Sequence, residues 1–155
     1  MSVQDIFYMF QALEQAKRAK KNGEIPIGAI LVHQGQVIAR AHNIREKTGD
    51  PTAHAEIVVL REAGTRLGSW RLENATLYVT VEPCLMCAGA LIQSRIARVV
   101  YGCRDPKAGA LTSLYEVAHD TRLNHQFLVE EGLLEEQCRK LMKDFFKERR
   151  DEKNE

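Results

Sequence analysis

The chain has 155 residues, 45% of them apolar, which is enough to bury the core of one domain. No stretch approaches the roughly 20 apolar residues of a membrane helix, and the opening Met1-Ser2-Val3-Gln4-Asp5 lacks the basic-then-apolar order of a secretory signal, so a cytoplasmic location without membrane association is expected. A net charge of +1, from 22 basic and 21 acidic side chains, neither announces nor excludes a nucleic-acid partner, because a local basic patch can do that work.

Four cysteines in such a chain point to free, metal-bound or catalytic thiols rather than disulfides. No repeat, low-complexity tract or Gly/Ser/Pro-rich linker divides the sequence, so residues 1–155 read as one domain. In chain order, Val3, Ile6, Phe7, Phe10, Leu13 and Ala16 recur at helical steps, with Lys17, Lys20 and Lys21 off that stripe, and Gly23 and Pro26 end the helix. Residues 27–32 and 37–41 read as strands joined by a hairpin over 33–36. Residues 43–52 are polar and read as a loop; 53–62 have helical composition and end near Gly64. A buried strand follows over 76–81, an apolar helix over 84–94, a strand over 97–101 and a loop over 102–111. A short helix over 114–118 and a short strand over 126–129 lead to a terminal helix over 133–150. Its apolar face is Leu133, Leu134, Cys138, Leu141, Met142, Phe145 and Phe146, and residues 151–155 read as a frayed tail. Helices alternating with strands predict a three-layer α/β/α domain around a mixed sheet of about five strands, the hairpin antiparallel and the later strands parallel.

Two short motifs sit where a loop or strand gives way to a helix: His54-Ala55-Glu56 and Pro83-Cys84-Leu85-Met86-Cys87. Three residues apart on a helix, Cys84 and Cys87 share a face, and near its N-terminus the backbone dipole favours their thiolates. Two thiolates and one imidazole form a catalytic zinc set that leaves a fourth position for water, with His54 as the third ligand. Glu56 lies two residues beyond His54, about 200° around a regular helix, which makes it an awkward second ligand but leaves it able to take a proton from that water. A redox Cys-x-x-Cys would leave His54 and Glu56 unexplained. A structural zinc site would need two further ligands, and the spare thiols Cys103 and Cys138 lack the paired spacing of zinc ribbons.

His-x-Glu and Pro-Cys-x-x-Cys, with 27 residues between Glu56 and Cys84, resemble the signature of the cytidine and deoxycytidylate deaminase superfamily. The resemblance to the bacterial tRNA-specific adenosine deaminase family covers nearly the whole chain. It rests on residues 26–32, Asn43, 50–56, 75–90, 94–96, Arg104-Asp105 with Lys107, Asn124-His125, and Phe145-Phe146 with Arg149-Arg150. The resemblance implies a cytidine-deaminase-like fold. It implies one zinc ion per subunit held by His54, Cys84 and Cys87, and Glu56 as the proton shuttle in converting adenosine to inosine at the wobble position of a tRNA anticodon stem-loop. It implies that Asn43 contacts the flipped adenosine, that Asp105, Lys107, Asn124 and His125 hold neighbouring nucleotides, and that Phe146 and Arg150 meet the anticodon loop. It also implies a homodimer. Two other readings use the same residues: a deaminase of a free base or nucleoside of guanine or cytosine type, and a non-catalytic zinc-stabilised RNA-binding module, against which the presence of Glu56 argues. Asn43 as a turn cap, Asp105 before Pro106 as turn chemistry, and Arg149-Arg150 as a solvated helix end are the plain alternatives. Cys103 is expected to be reduced, packing as a small apolar group.

Overall fold

A computed structural model describes residues 1–154. Helix α1 (Val3–Lys21) opens with a reciprocal cap. The Ser2 hydroxyl accepts the Asp5 N–H at 3.2 Å, and the Asp5 carboxylate accepts the Ser2 N–H at 2.8 Å. Strands β1 (Gly28–His33) and β2 (Gln36–His42) form the expected hairpin. Then come α2 (Arg45–Thr48), α3 (Ala55–Leu67), β3 (Ala75–Val81), α4 (Leu85–Gln93), β4 (Arg98–Cys103), a 3₁₀ turn (Val117–His119), β5 (Leu128–Glu131) and α5 (Glu135–Lys153).

The five strands form one mixed sheet in the order β2-β1-β3-β4-β5. Strand β1 runs antiparallel to both neighbours, whereas β3, β4 and β5 are parallel, joined through the helices between them. Helices α3 and α4 cover one face, where Val59, Ala63, Leu91 and Ile92 pack on Leu31, Leu77, Val79 and Val99. Helices α1 and α5 cover the other, where Met9 and Ala12 meet Ile30, Tyr78 and Val100, and Cys138 packs with Leu13, Val81 and Cys103. Helix α1 lies so close to β1 that a Cβ on Gly28 would come within 2.1 Å of the Ala12 carbonyl oxygen. Each fully buried Leu or Ile contributes about 1.5–3 kcal/mol, so these two layers carry the fold.

The structure departs from the sequence reading where a distant group intervenes. The apolar stripe of α1 does not face the sheet as a unit: its Leu13 and Ala16 are buried, but Val3, Phe7 and Phe10 are 81, 60 and 51% exposed, and Asp5, Met9 and Ala12 are buried in their place. Asp5 sets that rotation. Its carboxylate receives the Arg98 guanidinium at 2.9 and 3.0 Å and the Tyr78 hydroxyl at 2.5 Å. The Arg98 guanidinium holds the Asp5 carboxyl well below the usual carboxylate range, against the opposing effect of burial. The predicted loop over 43–52 contains α2, because the buried Glu24 carboxylate accepts the N–H groups of Glu46 and Lys47 at 2.9 and 2.8 Å. Helix α3 runs through Gly64 to a left-handed cap at Gly68. The expected short helix over 114–118 is reduced to a single 3₁₀ turn, Val117–His119, and residues 114–116 are not helical. Strand β5 begins two residues later than expected, since Gln126 is drawn to the Asp120 carbonyl at 2.9 Å. Helix α5 takes in 151–153 of the expected tail, and Glu155 lies outside the described residues.

Candidate metal centre and cleft

The two motifs meet at two helix N-termini. His54 is the N-cap of α3 and Cys84 the N-cap of α4, both with extended backbone (φ −70°, ψ 154° and φ −76°, ψ 176°). N-caps are usually Ser, Thr, Asp or Asn, whose side chains turn back to the helix. Neither His54 nor Cys84 does so, which leaves both side chains free to point at each other. Cys87, one turn into α4, completes the set: His54 Nδ1 lies 3.6 Å from Cys84 Sγ and 3.5 Å from Cys87 Sγ. The three donor atoms lie within 4.8 Å of one another. A tetrahedral zinc ion with bonds of about 2.0 Å to nitrogen and 2.3 Å to sulfur needs a nitrogen–sulfur separation of about 3.5 Å. The cradle therefore fits such an ion in both donor type and spacing. The Cys84 thiol is pulled down to about 4, chiefly by a hydrogen bond from Cys87 and also by one with His54, while Cys87 moves up as the donor to that thiolate. His54 is pushed up by its hydrogen bond to Cys84.

Glu56, in the first turn of α3, is 3% exposed, and its Oε1 has no hydrogen-bond partner; it is the one such buried side-chain atom among the described residues. Burial pushes its carboxyl up to about 7. An unpartnered carboxylate oxygen beside a metal cradle is costly, and it fits a task the folded chain alone does not fulfil: binding and moving a proton.

The cradle forms the floor of a cleft of about 1160 Å³. One wall is the segment after β2, with Asn43 and Arg45; another is the loop after β4, with Arg104, Asp105, Pro106, Lys107 and Ala108; the third is α5, with Lys143, Phe146, Lys147, Arg149, Arg150 and Lys153. In sequence the basic residues of α5 are interleaved with acids and make only a weak patch. In the helix they sort: Glu135 and Glu136 pair with Arg139, Asp144 with Lys140, and Glu148 with Lys20 of α1. Lys143, Lys147, Arg150 and Lys153 are left facing the cleft without an ion pair among the described residues. Phe145 is buried edge-on against Phe146 at 5.3 Å, whereas Phe146 is 41% exposed.

Most of the expected site residues meet here: His54, Glu56, Cys84, Asn43, Asp105, Lys107, Phe146 and Arg150 all line the cleft, with Cys87 beneath it. Asn43 is buried and its Oδ1 accepts the Arg45 N–H at 3.0 Å, so it caps a turn as well as facing the cleft. Asp105 also builds a turn, with Oδ1 accepting the Lys107 and Ala108 N–H groups at 3.1 and 3.2 Å. Asn124 and His125 are not brought to the cleft: Asn124 is exposed elsewhere, and His125 Nε2 lies 2.6 Å from the Ile96 carbonyl with its ring stacked on Phe127. Cys103 is buried and free, as expected. Sequence reasoning assigned no role to Glu82 or Glu24. The only local signal for either is a charged side chain embedded among apolar residues.

A family model described as MafB19-like deaminase matches residues 1–150. The chain is 51% identical over 150 residues to the tRNA-specific adenosine deaminase of Bacillus subtilis, a match that covers 97% of this chain and 93% of that one. A solved structure from studies of adenosine-to-inosine editing by tRNA deaminases at the wobble position of transfer RNA is similar at TM-score 0.85 and 44% identity, covering 87% of this chain and 98% of the other. The guanine deaminase of Bacillus subtilis is similar at TM-score 0.62 and 35% identity, covering 67% of this chain and 66% of the other.

Proposed function

The chain belongs to the deaminase family, among the tRNA-specific adenosine deaminases, and from that premise we propose that it hydrolyses adenosine to inosine at the wobble position of a tRNA anticodon loop. The observation that carries this reading is a His-Cys-Cys cradle at the floor of a cleft whose third wall is the basic side of α5. A wall of cations with an exposed aromatic ring suits a single-stranded phosphate backbone and its unstacked bases. A small free base would need neither.

His54, Cys84 and Cys87 would hold one zinc ion, whose Lewis acidity lowers the pKa of a water molecule enough to make it a nucleophile near neutral pH. Glu56 takes a proton from the attacking water and returns one to the departing amine, so that adenosine and water give inosine and ammonia. Asn43 is placed to bond the target base, Asp105 and Lys107 to hold its neighbours, and Phe146 and Arg150 to meet the loop. Asn124 and His125 lie outside the cleft of their own chain, and a role for them in RNA binding requires the cleft of a second copy. A homodimer is supported by the exposed Leu85, Met86, Leu114 and Tyr115, which follow the ligand-bearing turn and the cleft loop. A tRNA substrate supports a cytoplasmic location, and no helix among the described residues is long and apolar enough to cross a membrane.

The similarity to a guanine deaminase supports one competing reading, turnover of a free base. The test runs an anticodon stem-loop carrying a wobble adenosine beside free adenosine, guanine and cytidine. Inosine formed only in the RNA is the expected result; ammonia released from a free base, with no product in the RNA, gives the function to the competitor. Metal analysis should find one zinc per chain, and light scattering should find twice the chain mass.

A further inference from the structure

The chemistry above gives no task to Glu82, the residue just before Pro83-Cys84, although it is the most heavily bonded carboxylate in the cleft. Its side chain is 3% exposed. Oε1 accepts the Asp105 N–H at 3.1 Å and the Ser113 hydroxyl at 2.5 Å. Oε2 accepts the N–H groups of Leu111, Thr112 and Ser113 at 3.1, 2.7 and 2.9 Å. All these donors belong to one segment, residues 105–113, whose first part is the cleft wall. The same segment is tied to the ligand turn through backbone: Gly109 faces Cys84 in an isolated antiparallel bridge, and the Ala110 N–H reaches the Pro83 carbonyl at 2.9 Å. The approach leaves no room for a side chain, since a Cβ on Gly109 would lie 2.2 Å from the Glu82 carboxyl carbon.

A buried carboxylate is an expensive way to hold a loop in place, because its desolvation must be offset by well-aligned donors. Here the donors are four backbone amides and the Ser113 hydroxyl, so the link depends on the path of the loop and on one side chain of it. That leaves the Lys107 side chain free to face the cleft. We propose that Glu82 is a positioning residue for RNA. By fixing residues 105–113 to the turn that carries Cys84, it holds the RNA-gripping wall in a preformed position beside the metal cradle, and hence sets how tightly the strand is gripped there. This role rests on the tRNA reading above.

The test compares wild type, E82Q and S113A as zinc-loaded full chains. Gln keeps the shape of Glu82 but turns one acceptor into a donor facing N–H groups; S113A removes a single hydroxyl and is the milder change. Hydrogen exchange at the amides of Asp105, Leu111, Thr112 and Ser113, which needs no substrate, should speed up at least tenfold in E82Q. With zinc content held at the wild-type value, KM for the anticodon stem-loop should rise at least tenfold in E82Q and two- to fourfold in S113A, while kcat stays within threefold. Unchanged exchange, an unchanged KM in E82Q, or a loss of kcat and zinc without a rise in KM overturns the proposal and leaves the tRNA reading standing. If E82Q does not fold, a wild-type KM in S113A overturns it. Wild-type protein inert toward the stem-loop overturns the tRNA reading and the RNA-positioning role together.

Discussion

Glu56 and Glu82 are equally buried, at 3% exposure each, and line the same cleft, yet their surroundings treat them in opposite ways. Glu56 keeps an oxygen without a partner, and burial carries its carboxyl up to about 7. Burial also pushes Glu82 up, but hydrogen bonds from Ser113, Thr112 and Asp105 outweigh it and hold that carboxyl below its ordinary value. Burial alone therefore does not decide what a carboxylate is for; the donors around it do. Asp5 and Glu24 fall on the Glu82 side of the comparison, each spending its oxygens on Arg98 and Tyr78 or on the first turn of α2. Three satisfied acids hold the architecture, and the unsatisfied one is left for chemistry.

The comparison breaks first at Glu56. Replacing Glu56 with Gln should lower single-turnover deamination by about 10³-fold, within the range for removing a general acid–base group. The melting temperature should move little, because no protein hydrogen bond to Oε1 is lost. Turnover within tenfold of wild type would show that the orphan oxygen is not the proton carrier.

Breaking one of the satisfied acids should have the reverse pattern. D5N takes the buried partner from the Arg98 guanidinium, which then keeps only the more exposed Glu130 carboxylate, and should destabilise the fold by about 1–3 kcal/mol in urea unfolding. The sign with pH follows from the lowered carboxyl: the stability Asp5 contributes is fully present above about pH 4, the unfolded value, and is lost as pH falls toward the lower folded one. The wild-type and D5N stability curves should therefore converge below about pH 4; parallel curves would show that Asp5 carries little of the acid sensitivity.

Metal removal tests both sides together. Stripping zinc with a chelator should abolish turnover and lower the melting temperature by about 8–16 °C, the shift expected when an ion held near a thousandfold above its Kd, worth about 4 kcal/mol, is withdrawn from a domain of this size. Restored zinc should return both. An unshifted melt would mean that the cradle does not bind the ion tightly.

The mildest expected effect is at Glu24. Exchanging it for Gln leaves one α2 amide without its acceptor and should cost about 1–3 kcal/mol, with loosened exchange at Glu46 and Lys47 and a small loss of turnover through Asn43. A wild-type melt would place the α2 cap elsewhere.

The amino-acid sequence by itself determined the order of the five strands and of the four long helices, the mixed sheet, and the His54, Cys84 and Cys87 grouping. These rest on local features: residue period, a hairpin turn, and ligands spaced within two residues of a helix start, where backbone geometry follows from sequence neighbours. Only the tertiary structure decided the rest. It chose the buried side of α1, because Asp5 answers to Arg98, 93 positions away. It folded α2 inside an apparent loop, because Glu24 reaches across 22 positions to Glu46. It left residues 114–116 outside any helix, with only a single 3₁₀ turn over Val117–His119, and sorted the α5 charges into pairs and a basic wall. It also gave Glu82 a purpose, because its five donors arrive from 23 to 31 positions downstream. A buried charge has no sequence period, and whether it serves as strut or reagent depends on donors brought to it by the fold.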